Sequence, residues 1–185
     1  MRYPPIPRDQ WTDEQAAVAR AITEGPRGEV RGPFVPLLHA PKLAGRIQEL
    51  GEAIRFGTSI PANLLELAVI ITARHHDCPN IWESHSRLAI RAGVPRDIIM
   101  AIAARQRPAS MSADETLVHD HCTTLLAAHK LTDAMFNAAV ARWGRAGVME
   151  LSGICGYYSM LATILNAAER PLVDPTSVPF GLPAS

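Results

Sequence analysis

Between Leu64 and Ile71 every side chain but one is apolar, and the exception is Glu66. Pro61 suits the first turn of a helix, and the segment reads as a helix running to about His76. A helix that is apolar on all faces is enclosed on all faces. The rest of the chain must therefore supply a shell around this one segment.

The remaining sequence supplies further helices. Thr12-Asp13-Glu14-Gln15 is a capping box that opens a helix to about Glu24, and a long Gly/Pro-rich loop follows from Gly25 to Pro36. A second helix spans about Pro41 to Gly57, with Leu43, Ile47, Leu50 and Ile54 at helical spacing. After the apolar helix come Pro79 to Gly93, Pro95 to Arg105, and Ser112 to Lys130 behind a second capping box. Thr132 to Trp143 and Gly147 to Ala168 complete the set. No segment alternates with period two, and aromatic residues make up only 5% of the chain, a composition that favours helices over strands. The expectation is an all-α fold of about eight helices in one domain over residues 1–185, with a central helical hairpin. The Pro-rich stretch after Pro171, with Pro175, Pro179 and Pro183, reads as an extended arm or a frayed end.

Charge and cysteine content narrow the function. Eighteen Lys and Arg balance eighteen Asp and Glu, and no basic run occurs, so a general nucleic-acid binder is excluded. Leu67 to Ile71 falls far short of the roughly 20 apolar residues of a membrane span, and the start carries no signal-peptide core. Cys78, Cys122 and Cys155 are odd in number and widely spaced, which suits reduced thiols in a cytoplasmic protein better than a disulfide framework. His119-Asp120-His121-Cys122 is no chelate, because successive helical residues point about 100° apart. No metal or cofactor is expected.

Glu66 is the residue most suggestive of chemistry. Burial disfavours its charged form, so it is either tuned toward acid–base work or paired with an Arg from a nearby helix. Arg74 falls near the same face two turns on. It can pair with Glu66, clamp a substrate carboxylate, or serve as a C-terminal helix cation. On the following helix Cys78, Trp82, His85 and Ala89 form a stripe at steps of four, three and four. The connection between the two helices is so short that they form a tight hairpin, which carries His85 toward Glu66. A His beside a buried Glu is a competent proton shuttle, although either can also be a satisfied core residue. His39 at a loop-to-helix junction and Tyr158 in the last helix are candidate cleft residues.

The ordered set Glu66-Leu67-Ala68 to Arg74, Trp82, His85 and Arg91-Ala92-Gly93-Val94 resembles the carboxymuconolactone decarboxylase family and its alkylhydroperoxidase AhpD-like relatives. Gly32 to His39, Pro41-Lys42-Leu43 and Glu150 to Asn166 look like the same family's flanks, so the likeness covers about Gly32 to Glu169. It implies an all-helical protein that self-associates as a homotrimer or hexamer and needs no cofactor. The peroxidase branch uses a Cys-x-x-Cys pair beside a Glu and a His. Here Cys78 matches the first Cys and Ile81 stands in the second position, so a dithiol cycle has no resolving partner. The decarboxylase branch implies acid–base work on a small carboxylated lactone, with His85 and Glu66 as the catalytic pair and Arg74, Trp82, His39 and Tyr158 as substrate-binding candidates. The alternatives are a thiol peroxidase relying on Cys78 and a non-catalytic protein that binds a small acid.

Overall fold

The computed structural model describes residues 2–180. Its helices are α1 (Asp13–Glu24), α2 (Phe34–Leu37), α3 (Pro41–Phe56), α4 (Ala62–His75), α5 (Pro79–Arg91), α6 (Arg96–Ala103), α7 (Ala113–Ala128) and α8 (Asp133–Ala168). Two short 3-10 turns lie near the ends, and no strand occurs among the described residues. The all-α expectation holds.

The apolar helix is the hub. Every residue of α4 from Leu64 to Ala73 is buried, and α5, α6, α7 and α8 pack around it. Thr72 is accommodated in this core by donating its hydroxyl to the Ala68 carbonyl at 2.8 Å. The α4–α5 hairpin turns through Asp77 in the left-handed region (φ 46), a conformation that short polar side chains tolerate. Both capping boxes are formed, at Thr12 with Gln15 and at Ser112 with Glu115.

Two details differ from the sequence reading, in α2 and in α3. The loop 25–36 contains the start of a single-turn helix, α2. The expected break between the last two helices is present: α8 kinks at Gly144 (φ 68, ψ 176), a backbone geometry that glycine adopts without a Cβ penalty. On α3 the buried face is Ala44, Ile47, Gln48, Gly51 and Ile54, whereas Leu43 and Leu50 are about half exposed. Small and polar residues face inward there because Tyr157 of α8 comes hard against Gly51.

By length and composition α8 is apolar enough to cross a membrane, yet half of its most apolar window is buried within the fold, against α3, α4 and α7. The segment after α8 folds back onto α5. Glu83 accepts the Val173 backbone N–H at 3.3 Å, Asn80 donates to the Arg170 carbonyl at 3.2 Å, and Phe180 meets Trp82 edge to face. Pro183 lies outside the described residues.

Candidate active site

The hairpin brings Glu66 and His85 into direct contact. Glu66 Oε2 and His85 Nδ1 are 2.6 Å apart, and both side chains are nearly enclosed. A carboxylate at Nδ1 fixes the tautomer with the proton on that nitrogen and leaves Nε2 with its lone pair. Burial holds the His85 imidazole below its ordinary pKa, with Glu66 opposing and Arg55 and Arg27 adding to the depression. The ring is therefore neutral at neutral pH.

Arg55, in the last turn of α3, completes the cluster. Its Nη2 lies 3.5 Å from Glu66 Oε1, and its Nη1 donates to the Tyr158 hydroxyl at 3.2 Å. Burial opposes the charge on Arg55, but Tyr158 and Glu66 together hold its pKa above the ordinary value. Tyr158, from α8, sets its ring edgewise against His85 at 5.0 Å. Burial pushes its hydroxyl up to about 12, so it stays protonated. Behind it stands Tyr157, 5.3 Å away ring to ring, and Arg27 from the 25–33 loop reaches the Tyr157 hydroxyl at 3.5 Å. Four helices thus converge on one carboxylate, and no single stretch of the chain carries the site.

A small cavity of about 170 Å³ opens onto this cluster, lined by Arg55 and Glu66 with Phe56, Ile60 and Leu65 as its apolar wall. A cation and a carboxylate face this half-apolar space, and the neutral imidazole is hydrogen-bonded to that carboxylate, a set that can bind a small anion and move a proton.

The other candidates lie elsewhere. Arg74 does not join Glu66: its Nε donates to the Ala103 carbonyl at 2.7 Å and its Nη1 to Asp77, while its guanidinium sits over Phe180. Eight residues along a helix displace it by about 12 Å. Trp82 is 1% exposed and packs in the core against Phe180. His39 is on the surface, 3.0 Å from the Pro4 carbonyl oxygen and edge-on to Tyr3. Cys78 is wholly buried at the N-terminus of α5; burial pushes its thiol up to about 11, against the backbone N–H groups of Ile81 and Asn80. Cys122 and Cys155 form a separate buried pair, 3.4 Å apart between α7 and α8. His121 goes to Ser152 and His119 to Asp120, so the four residues from His119 to Cys122 diverge.

Arg55 is the site residue that sequence reasoning did not single out. The available signal was Gly51, four residues earlier on the same helix face: an inward glycine marks the side on which Arg55 also lies.

The carboxymuconolactone decarboxylase family model matches residues 41–117, from the start of α3 into α7, and confirms the resemblance over that stretch. No curated protein matches the chain by sequence. Among solved structures, the debrominase Bmp8 superposes with a TM-score of 0.69 at 17% identity, covering 95% of this chain and 93% of that one. A cysteine-to-alanine variant of Bmp8 in complex with 2,3,4-tribromopyrrole superposes with a TM-score of 0.70 at 16% identity, over 96% and 94%. These two structures share the fold.

Proposed function

We propose that this chain, whose central helices match the carboxymuconolactone decarboxylase family model, is a cofactor-free acid–base enzyme acting on a small carboxylated lactone or a similar ring-cleavage product. The observation that carries the reading is the 2.6 Å contact between His85 Nδ1 and Glu66 beside a cavity that also presents Arg55. The cavity suits a single small ring, and the Bmp8 variant of the same fold was crystallised with one.

In this mechanism Arg55 pairs with the anionic end of the substrate. Cleavage of the bond to the carboxylate releases CO2 and leaves its electron pair in a dienolate, whose charge Arg55 offsets. A proton drawn from water and carried on His85 Nε2 then closes on the ring carbon. Glu66 holds Nδ1–H throughout, so only Nε2 exchanges protons with the substrate. Self-association as a trimer or hexamer belongs to the same proposal, supported by Leu43, Leu50 and Phe56, which are about half exposed along α3.

The test is turnover of γ-carboxymuconolactone followed by ultraviolet absorbance. His85→Ala should lower kcat by roughly 10²–10⁴-fold, the usual contribution of a positioned acid–base group, with folding and assembly intact. Undiminished turnover would remove His85 from the mechanism. A peroxidase working through Cys78 is disfavoured by the burial of that thiol, its raised pKa and the Ile81 side chain where a resolving cysteine would stand.

A further inference from the structure

A second cavity, larger than the one at Glu66, lies elsewhere in the fold. It measures about 260 Å³ and lies where the C-terminal end of α4 meets α6 and α7. Arg74, Arg105 and Arg107 line it together with His75 and His119. Ile71, Ile102, Leu126 and Ala127 supply its apolar lining.

The carboxylates that balance these arginines stand outside the cavity. Asp77 binds Arg74 and also takes Arg105 Nη2 at 2.9 Å on both of its oxygens. Asp120 takes Arg107 through both terminal nitrogens. Neither Asp lines the cavity. The ion pairs engage only part of each guanidinium group, and Nε and Nη1 of Arg105 and Nε of Arg107 have no partner among the described residues. Three arginines against two aspartates leave one formal positive charge. Guanidinium groups with free N–H donors suit a planar carboxylate, which they can grip through parallel N–H groups. The apolar lining asks for a hydrocarbon body, and the volume, at the lower edge of small-molecule sites, limits that body to about one ring.

The geometry points to a second small-molecule site here, for an organic acid with one carboxylate on a ring-sized apolar body. It is separate from the Glu66 cluster and does not depend on the activity assigned to that cluster.

Benzoate is the probe, titrated calorimetrically against the full chain, with benzyl alcohol and sodium sulfate as comparisons. Benzoate should bind saturably, the neutral alcohol at least tenfold more weakly for want of the charge, and sulfate likewise for want of the apolar body. Arg105→Gln combined with Arg107→Gln should weaken benzoate at least tenfold. Ala127→Trp, at an exposed position on the rim, should do the same by filling the groove without touching a charge. Arg31→Gln, which removes an exposed arginine that lines neither cavity, should leave benzoate affinity unchanged, so the loss is not one of overall charge. Unaltered binding in both groove variants, an equal loss of binding in Arg31→Gln, or no saturable binding at all would each overturn the assignment.

Discussion

Replacing Gly51 by alanine tests whether the active-site cluster is held from behind by close contact. A Cβ at Gly51 would collide with the Tyr157 hydroxyl oxygen and Arg27 Nη2 and lie 2.8 Å from Tyr157 Cζ. The Arg27 tip can swing aside, but the Tyr157 ring cannot, so it must retreat by roughly an ångström to restore an ordinary contact. Overpacking of this kind costs about 1–3 kcal/mol, while glycine to alanine within a helix returns about 0.8–1 kcal/mol. The second effect is isolated by Gly45→Ala on the same helix, where the nearest atom to an added Cβ is Val18 Cγ2 at an unstrained 3.6 Å. Gly45→Ala should stabilise by about 0.8–1 kcal/mol, and the gap between the two variants should equal the overpacking term alone. In urea melts that gap is about 1–3 kcal/mol, and in thermal melts about 2–4 °C per kcal/mol for a chain of this size. Because Tyr157 meets Tyr158 edge-on and Tyr158 meets His85 in the same way, turnover of Gly51→Ala should fall by about tenfold, short of the ~10²-fold that a full ångström at the reacting groups costs. Adding Tyr157→Phe removes the closest atom and should recover part of both losses. Equal stabilisation by the two alanines, with full activity in Gly51→Ala, would refute the idea that Tyr157 buttresses the site.

Glu66→Gln keeps the shape but strips Arg55 of its carboxylate, and the loss of one partner of a buried pair should cost about 3 kcal/mol in urea denaturation, since Arg55 retains Tyr158. A loss under about 1 kcal/mol would mean that the pair is screened by solvent as a surface bridge is. His85 should titrate below its ordinary 6.5 in nitrogen-correlated NMR, with the proton on Nδ1 in the neutral ring; a midpoint above 6.5 would contradict the dominance of burial over Glu66. The unfolded chain takes up the proton first, so His85 contributes stability above pH 6.5 that is lost as pH falls from 6.5 toward the lower folded value, and His85→Phe should flatten that part of the profile. Cys78→Ser should leave lactone turnover within about threefold, and hydroperoxide should give no dimedone adduct on Cys78 of the native protein, because its thiol is buried and held near 11.

The parts of the site that could be read from the sequence are those that two neighbouring helices settle between them. Glu66 and His85 lie on consecutive helices joined by a turn of a few residues, so spacing alone put them face to face. Of the roles open to Arg74, the structure shows the helix-end cation and not the partner of Glu66, because helical periodicity fixes a direction around the axis and not which neighbour stands there; eight residues on, the neighbours are α6 and the segment around Phe180 rather than α3. The face of α3 was misjudged for a related reason. Leu43 and Leu50 outweigh Gly51 and Gln48 in apolar surface, yet the smaller residues turn inward because a tyrosine from a helix about a hundred residues later occupies the space.

That misjudgement bears on how the site works. Had α3 buried Leu50, the bulk of that side chain would hold α8 away, and Tyr157 and Tyr158 could not reach across to Arg27 and Arg55. An inward glycine lets α8 approach closely enough for Tyr158 to contact both Arg55 and His85. The same close approach excludes water behind Arg55, where an aqueous screen would weaken its pull on a bound anion. The charge that matters to the proposed chemistry therefore depends on an uncharged residue with no side chain. Its effect follows from two helices meeting, so neither helix read alone predicts it.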